Sequence, residues 1–138
     1  MKDPMSVLVI GDEVELAEPV ASLRDDGHRV ELARDAAAAM RLVSNGLDSV
    51  LVDLDVDGYQ LVRALRTEVL APSTSILALS SRIEPLDDAG VDLVLQKPLD
   101  APHLGSLVEY ITRRRHHLLR SRTGGPPLHV IPGPLRQR

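Results

Sequence analysis

The stretch VLVDLDVDG at residues 50–58 joins a short apolar run to three alternating aspartates, Asp53, Asp55 and Asp57, and ends in Gly58. This pattern is compatible with a calcium-binding loop, with the nucleophile of a phosphohydrolase, and with a carboxylate that accepts a phosphoryl group. The three interpretations predict different proteins, so the rest of the chain has to decide between them.

The composition narrows the class of protein. The chain has 138 residues, with two tyrosines, no other aromatic residue and no cysteine. One domain with a tail is the natural expectation at this length, and its core must be built from Leu, Val, Ile and Ala. The lack of cysteine excludes disulfides and thiolate metal sites and favours a cytoplasmic location. No apolar run approaches the ~18 residues that span a bilayer, so we expect no membrane span.

The charge is divided unevenly along the chain. Up to Tyr110 there are 9 Lys and Arg against 20 Asp and Glu, whereas the segment from Ile111 onward has 7 Arg and no acid. This division predicts an acidic folded domain at 5–117 and a basic, Gly/Pro-rich tail at 118–138, which we expect to be disordered. The RRRHHLLRSR segment at 113–122 is compatible with continuation of the last helix. Nucleic acid is expected as a partner only through this basic segment.

Apolar runs alternate with amphipathic stretches through the acidic part. The predicted strands are 6–10, 28–32, 49–54, 75–79 and 91–95, and the predicted helices are 14–25, 35–44, 59–69, a short one at 85–89 and one from Asp100. Runs of this composition are typical of strands buried on both faces of a parallel sheet. Pro19 would kink the first helix if that helix began at Val14, and we expect His28 at the surface. Five βα units predict a doubly wound α/β fold, in which ligands bind at the carboxyl ends of the strands.

Polar residues follow four of the predicted strands at that edge. They are Gly11, Asp12 and Glu13 after strand 1, Asp53 at the end of strand 3, Ser80 and Ser81 after strand 4, and Gln96, Lys97 and Pro98 after strand 5. Such a set suits phosphoryl chemistry, because a carboxylate can be the nucleophile, its neighbours can hold Mg²⁺, and a hydroxyl and an ammonium can contact the phosphoryl oxygens. Lys97 stands out as one of only two lysines beside 14 arginines, which indicates a site that needs a compact ammonium.

The motifs VLVIGDE (7–13), VLVDLDVDG (50–58), ILALSS (76–81) and LVLQKPLD (93–100) resemble, in this order, the response-regulator receiver domain of two-component signalling. The resemblance implies a flavodoxin-like five-stranded sheet of order 2-1-3-4-5 and phosphorylation of Asp53 by a histidine kinase or phosphotransfer protein. It also implies Mg²⁺ ligation by Asp12, Asp53 and Asp55, the last through its backbone carbonyl, and Glu13 is counted with this metal site. Ser80 would be the switch hydroxyl, and Lys97, before a cis proline, would contact the phosphoryl group. Such a domain signals and is not an enzyme.

Several departures from the family pattern mark this receiver as atypical. Gly11 replaces the first of two acids that usually end strand 1, so Mg²⁺ should bind weakly. The loops after strands 3 and 4 are shorter than usual, and Val94 stands at the position of a switching Tyr or Phe. A pseudo-receiver, which binds its partner regardless of phosphate, is therefore the first alternative. No output domain follows in the sequence, so we expect a stand-alone regulator that acts on an unnamed protein target.

The two other interpretations of residues 50–58 are less complete. In a calcium loop that starts at Asp53, the twelfth position would be Ala64 instead of a bidentate glutamate. In a haloacid-dehalogenase-like phosphohydrolase, Asp53 would be the nucleophile and Asp55 the general acid. That family also needs an acid at a strand end after the lysine, whereas Asp100 and Glu109 fall on the last predicted helix. The phosphohydrolase stays open as the second alternative.

Overall fold

The computed structural model describes residues 4–43, 46–55, 58–69, 71–82, 90–99 and 103–121. Its strands are β1 Ser6–Ile10, β2 Arg29–Ala33, β3 Ser49–Asp53, β4 Ser75–Ser80 and β5 Leu93–Gln96. Its helices are α1 Ala17–Asp25, α2 Ala36–Leu42, α3 Gly58–Ala64 with a π-helical continuation Leu65–Val69, and α4 Leu104–Ser121. The short helix predicted at 85–89 and the predicted helix start at Asp100 lie outside the described residues.

The five strands form one parallel sheet in the order β2-β1-β3-β4-β5, which confirms the predicted fold class and topology. Every residue of β3 and β4 is buried, as the continuous apolar runs predicted. One face of the sheet packs with α2 and α3 through Ala39, Leu61 and Leu65. The other face packs with α1 and α4 through Leu23, Leu104 and Val108. The helices thus cover both faces and leave the strand ends open to ligands.

The first helix begins three residues later than predicted, at Ala17. The Asp12 carboxylate accepts a hydrogen bond from Glu15 N–H at 3.1 Å, and the Asp12 carbonyl accepts one from Leu16 N–H. These bonds fold residues 12–16 into turns before the helix starts. Pro19 therefore lies within the first helical turn, where a missing N–H disrupts no intrahelical bond, and the predicted conflict disappears.

The second and third helices follow the sequence pattern closely. Asp35 caps α2, because its carboxylate accepts a hydrogen bond from Ala38 N–H at 2.9 Å, and the helix itself runs from Ala36 to Leu42. The segment predicted at 59–69 is helical throughout but widens to a π-helix after Ala64. Leu61, Val62 and Leu65 lie buried on its inner face, as the spacing predicted.

His28 is buried, contrary to the surface position that we expected, and β2 starts one residue after it. The His28 Nδ1 accepts a hydrogen bond from Met5 N–H at 3.0 Å, and Nε2 lies 3.1 Å from a carboxylate oxygen of Glu109 on α4. The sequence prediction was wrong because a lone histidine before a strand gives no sign of a partner 81 residues away. This pair joins β1, β2 and α4 at the amino end of the sheet.

Asp92 organises the start of β5. One carboxylate oxygen accepts hydrogen bonds from Ile76 N–H and from Arg66, and the other accepts one from Arg115 of α4. Since the side chain of Asp92 takes over a pairing to β4, the strand begins at Leu93, two residues later than predicted. Burial lowers the pKa of Arg66 to about 10; the nearby Arg115 cation acts in the same direction, and Asp92 opposes it.

The last helix continues into the basic segment. Residues 118–121, which we had assigned to the tail, are helical, because Leu118, Leu119 and Arg120 are good helix formers that follow the helix without a break. The predicted disordered tail from residue 122 onward lies outside the described residues, and the domain division at 117 stays a prediction. Among the described residues no helix has the length and apolar character needed to cross a membrane.

Candidate functional site

Asp53 ends β3 at the carboxyl edge of the sheet, with its side chain almost wholly buried. One carboxylate oxygen, Oδ1, accepts a hydrogen bond from the backbone N–H of Asp55 at 2.9 Å. The other, Oδ2, accepts one from Lys97 Nζ at 2.9 Å. A buried carboxylate needs such partners, and the pairing of Ser80 with Gln96 brings Lys97 to this edge. The predicted nucleophile and the predicted ammonium thus lie in direct contact.

The Lys97 ammonium is surrounded by three carboxylates. Its Nζ lies 2.8 Å from Glu15 Oε2, 2.9 Å from Asp53 Oδ2 and 3.1 Å from Asp55 Oδ2. Burial by itself would lower the pKa of Lys97, but the hydrogen bonds to Glu15, Asp53 and Asp55 outweigh it and raise the pKa above its ordinary value. The lysine is therefore fully charged at neutral pH, as a phosphoryl contact requires.

Asp55 connects the loop after β3 to the loop after β4. Its two carboxylate oxygens accept the backbone N–H of Ser81 at 3.3 and 3.2 Å. Partial burial acts to raise the pKa of Asp55, but the hydrogen bonds from Lys97 and Ser81 prevail and lower it. The carboxylate is consequently ionised under all physiological conditions. Asp57, the third acid of the opening motif, lies outside the described residues.

Ser80 is buried at the end of β4, and its side chain is held locally. Its hydroxyl oxygen accepts a hydrogen bond from Arg82 N–H at 3.1 Å, and its carbonyl accepts Lys97 N–H at 2.9 Å. Ser80 thereby borders the backbone that carries Lys97. Because the bond to Arg82 uses only a lone pair, the Ser80 hydroxyl keeps its proton for donation to an acceptor.

Gly11 follows β1 and packs directly against Asp53. A Cβ atom at Gly11 would lie 3.0 Å from Asp53 Cβ and 2.6 Å from Leu16 Cδ1. The side chain of Leu16, itself buried, fills the space that an acid at position 11 would need. The replacement of the usual acid by glycine is therefore built into the packing around it.

The other predicted metal-site residues are placed less centrally. Asp12 and Glu13 are exposed in the turn after β1, and one Asp12 carboxylate oxygen accepts Glu15 N–H. Within the described ranges, no three carboxylate or imidazole side chains are grouped so that they could hold a metal ion. Asp53 and Asp55 are brought together by the structure, but the cation between their carboxylates is Lys97.

Glu15 is the member of the site that the sequence analysis missed. It lies two residues beyond the predicted motif, so its spacing from the strand end gave no reason to include it. The Asp12 cap on Glu15 N–H fixes the turn from which its side chain reaches Lys97. The separation of three residues between Asp12 and Glu15, typical of a side chain capping a turn, was the only available signal.

Two further expectations concern β5. The Lys97–Pro98 peptide bond is cis, as the resemblance implied. Val94 is buried in the middle of β5, opposite Ala78 of β4. A β-branched aliphatic side chain in this position has neither a ring nor a hydroxyl to exchange between two environments, in contrast to the residue type usual in the family.

The structure weakens both alternative interpretations of the aspartate motif. Asp53 ends a buried parallel strand, whereas a calcium loop of the EF-hand type follows a helix. Glu109, an acid that a phosphohydrolase would need near Lys97, instead pairs with His28. Asp100 lies outside the described residues.

Comparison with known proteins identifies relatives of the chain, although no protein-family model matches it. It is 31% identical over 126 residues to the response regulator Rre1 of Synechocystis sp., covering 83% of this chain and 54% of the relative. It is 32% identical over 120 residues to the response regulator protein PmrA of Pseudomonas aeruginosa, covering 80% of this chain and 53% of the relative. The chain thus spans about half the length of the curated relatives that it matches.

The fold has matches among solved structures. One is a CheY-like response regulator receiver domain protein from Methanospirillum hungatei, with a TM-score of 0.72 at 18% identity, covering 83% of this chain and 98% of that one. Likeness at this identity shows the fold alone, but it agrees with the sequence relatives and with the strand order. The chain therefore carries a receiver domain of the response-regulator family.

Proposed function

We propose that this receiver domain accepts a phosphoryl group on Asp53 from a histidine kinase or a phosphotransfer protein. The observation that carries the proposal is the contact of 2.9 Å between the buried Asp53 carboxylate and Lys97 Nζ at the carboxyl edge of the sheet. An acceptor carboxylate needs a fixed orientation and a neighbouring cation for the charge that arrives with the phosphoryl group. Asp53 has both, together with the backbone N–H of Asp55.

The transfer itself is a displacement at phosphorus. A carboxylate oxygen of Asp53 attacks the phosphorus atom of a phosphohistidine, so that an O–P bond forms while the N–P bond breaks. The imidazole leaves with the electron pair of the broken bond and takes up a proton from solvent. Lys97, beside Asp53 Oδ2, would then exchange a carboxylate contact for a phosphoryl oxygen, and the Ser80 hydroxyl would donate to another of these oxygens.

Mg²⁺ is part of the proposal because carboxylate and carbonyl oxygens, the donor types present at this edge, are the ligands that Mg²⁺ prefers. Asp12, Asp53 and the backbone carbonyl of Asp55 would hold the ion, with Glu13 beside them. When bound, Mg²⁺ would neutralise charge on the phosphoryl oxygens. We expect weak binding, because Gly11 contributes no carboxylate and Leu16 fills the space beside it.

The output of such a domain is a changed affinity for a protein. We propose that it lies at the surface around β5 and α4, with a downstream protein as the target and no turnover of a small molecule. The basic end of α4 is the one part for which nucleic acid is proposed as a partner. The cytoplasmic location expected from the sequence belongs to the same proposal.

The decisive experiment is phosphoryl acceptance. The protein is incubated with Mg²⁺ and a small acyl phosphate, and intact-mass spectrometry follows the wild type, Asp53→Ala and Asp35→Ala. Asp35 is a matched control, since it is an acid that caps α2 away from Lys97. We expect a gain of one phosphate in the wild type and in Asp35→Ala, and none in Asp53→Ala. A gain that survives in Asp53→Ala would remove Asp53 from the proposal.

A pseudo-receiver is the second candidate function. It is favoured by Leu16, whose side chain takes the place of a metal-site acid, and by Val94, which lacks a switching group. In that case the wild type would gain no phosphate even at high Mg²⁺ while remaining folded. Its partner would then bind wild type and Asp53→Ala equally well.

A further inference from the structure

The Lys97 ammonium is already engaged by carboxylate oxygens where a phosphoryl group on Asp53 would need it. An ammonium carries three N–H donors, and three carboxylate oxygens, from Glu15, Asp53 and Asp55, lie within 3.1 Å of Nζ. A phosphoryl group on Asp53 therefore competes with these carboxylates for the N–H donors of Lys97. The three contacts differ in how readily they can be given up.

Two of the three carboxylates are held from elsewhere. The Asp53 side chain is fully buried and accepts the backbone N–H of Asp55. The Asp55 side chain accepts the backbone N–H of Ser81 with both oxygens. Neither can turn away without losing a second bond.

Glu15 is the contact that can leave. Its side chain is 48% exposed, against 0% for Asp53 and 35% for Asp55. Within the part of the chain that the structure describes, its carboxylate accepts a hydrogen bond from Lys97 alone. Water can therefore solvate the Glu15 carboxylate as soon as Lys97 is released.

We propose, on the basis of the function proposed above, that Glu15 is a positioning residue that holds Lys97 while Asp53 is free and competes with the phosphoryl oxygens for it. Glu15 takes the place of the incoming anion in the resting domain and returns to solvent on phosphorylation. The exchange makes phosphorylation less favourable than in a domain whose lysine has a free donor.

The local packing explains why the acid that contacts Lys97 from the segment after β1 lies at position 15 and not at position 11. At position 11 a side chain would collide with Leu16, whereas the turn after β1 leaves the Glu15 side chain free to extend to the strand edge. The Asp12 carboxylate fixes this turn through Glu15 N–H. Glu15 thus supplies, from a half-exposed side chain that a ligand can displace, the negative charge near Lys97 that Gly11 does not provide.

The test uses the full chain with Mg²⁺ and beryllofluoride, a non-covalent phosphoryl analogue, together with the rate of mass gain from an acyl phosphate. The variants are Glu15→Ala and Glu15→Gln, and Glu18→Ala is the matched control, because Glu18 is an exposed acid on α1 outside the site. Removal of one partly exposed ionic competitor should raise the beryllofluoride affinity and the phosphorylation rate about two- to fivefold. Glu15→Gln should lie between Glu15→Ala and the wild type, and Glu18→Ala should match the wild type.

Mg²⁺ affinity without beryllofluoride separates this role from metal binding. We expect it to be unchanged in Glu15→Ala. If Glu15→Ala binds beryllofluoride as the wild type does or more weakly, or if Mg²⁺ affinity falls, the competition is overturned while Asp53 stays an acceptor. If the folded wild type and every variant neither bind beryllofluoride nor gain mass from the acyl phosphate, the proposed function is wrong, and so is the role of Glu15.

Discussion

Leu16 occupies the space beside Gly11, so that a Cβ atom at position 11 would lie 2.6 Å from Leu16 Cδ1. Because the same Cβ would also lie 3.0 Å from Asp53 Cβ, the two residues together set the packing behind the acceptor carboxylate. The missing acid of strand 1 is therefore not a vacant position that one substitution could restore.

Gly11→Ala should lower the free energy of unfolding by about 1–3 kcal/mol, because an added methyl overpacks this site. Leu16→Ala alone should cost about 2–5 kcal/mol through the cavity that it leaves. The double variant should cost clearly less than the sum of the two, since each change relieves the other. Urea unfolding of the four proteins measures this, and strict additivity would contradict the contact.

Lys97→Ala should destabilise the domain by about 2–4 kcal/mol, because it leaves the buried Asp53 carboxylate without its cation. Asp53→Asn alone should change stability by no more than about 1 kcal/mol, since Lys97 keeps Glu15 and Asp55. The double variant should regain most of the loss caused by Lys97→Ala. Thermal or urea unfolding checks this, and equal losses in Lys97→Ala and in the double variant would show that Asp53 does not depend on Lys97.

Asp55 should make the free energy of unfolding of the domain depend on pH in the acid range. Its pKa in the folded domain lies below the ordinary value of 3.8, so its stabilisation is present above that pH and is lost as the pH falls through the folded-state pKa. Asp55→Asn should therefore be less stable than the wild type at neutral pH, by less than about 1 kcal/mol for a group this exposed. The difference should shrink below pH 3.8 in urea titrations at a series of pH values. A stability difference between wild type and Asp55→Asn that grows toward acid pH would contradict the lowered pKa of Asp55.

The His28 ring should carry a hydrogen on Nε2 and none on Nδ1. Its Nδ1 accepts the Met5 N–H and cannot carry a hydrogen there, so Nε2 is the donor to Glu109. Long-range ¹H–¹⁵N correlation spectra at neutral pH report the tautomer directly. The Nδ1–H tautomer in those spectra would show that Met5 does not donate to this ring.

Glu109→Ala should cost about 1–3 kcal/mol, because it leaves the buried Nε2–H of His28 without an acceptor. Glu109→Gln should cost less, since an amide oxygen can still accept that hydrogen bond. The two variants are compared by urea unfolding, with Glu31→Ala as the control on the exposed side of β2. An equal cost for both would assign the effect of Glu109 to its charge.

The sheet could be predicted from the sequence because its strands are buried on both faces. A run such as 49–53 has no alternative placement once two layers of helices cover it, and βα alternation leaves few topologies. Because parallel strands end at the same edge of the sheet, the positions of Asp53 and Lys97 at strand ends were enough to predict that the two residues lie together. Errors arose where a side chain replaced a backbone bond, as Asp92 does at the start of β5 and Asp12 does before α1.

The missed features depend on partners that are distant in sequence. Glu15 meets Lys97 across 82 residues and His28 meets Glu109 across 81, and no local pattern marks either pair. The turn after β1 can direct Glu15 toward the strand edge or toward solvent, and the packing of Leu16 against Gly11 decides which. That packing exists only after the sheet and the first helix have assembled.

The last helix has a mechanical consequence. Its 18 residues extend for about 27 Å, whereas the six residues of β4, the longest strand, span about 20 Å. The last fully buried residue of the described helix is Thr112, and the helix continues nine residues beyond it. Those nine residues extend for about 13.5 Å, so a tilt of one degree at Thr112 would move the far end by about 0.2 Å. The helix can therefore act as a lever, which turns a shift too small to disturb the core into a displacement of its arginine-bearing tip.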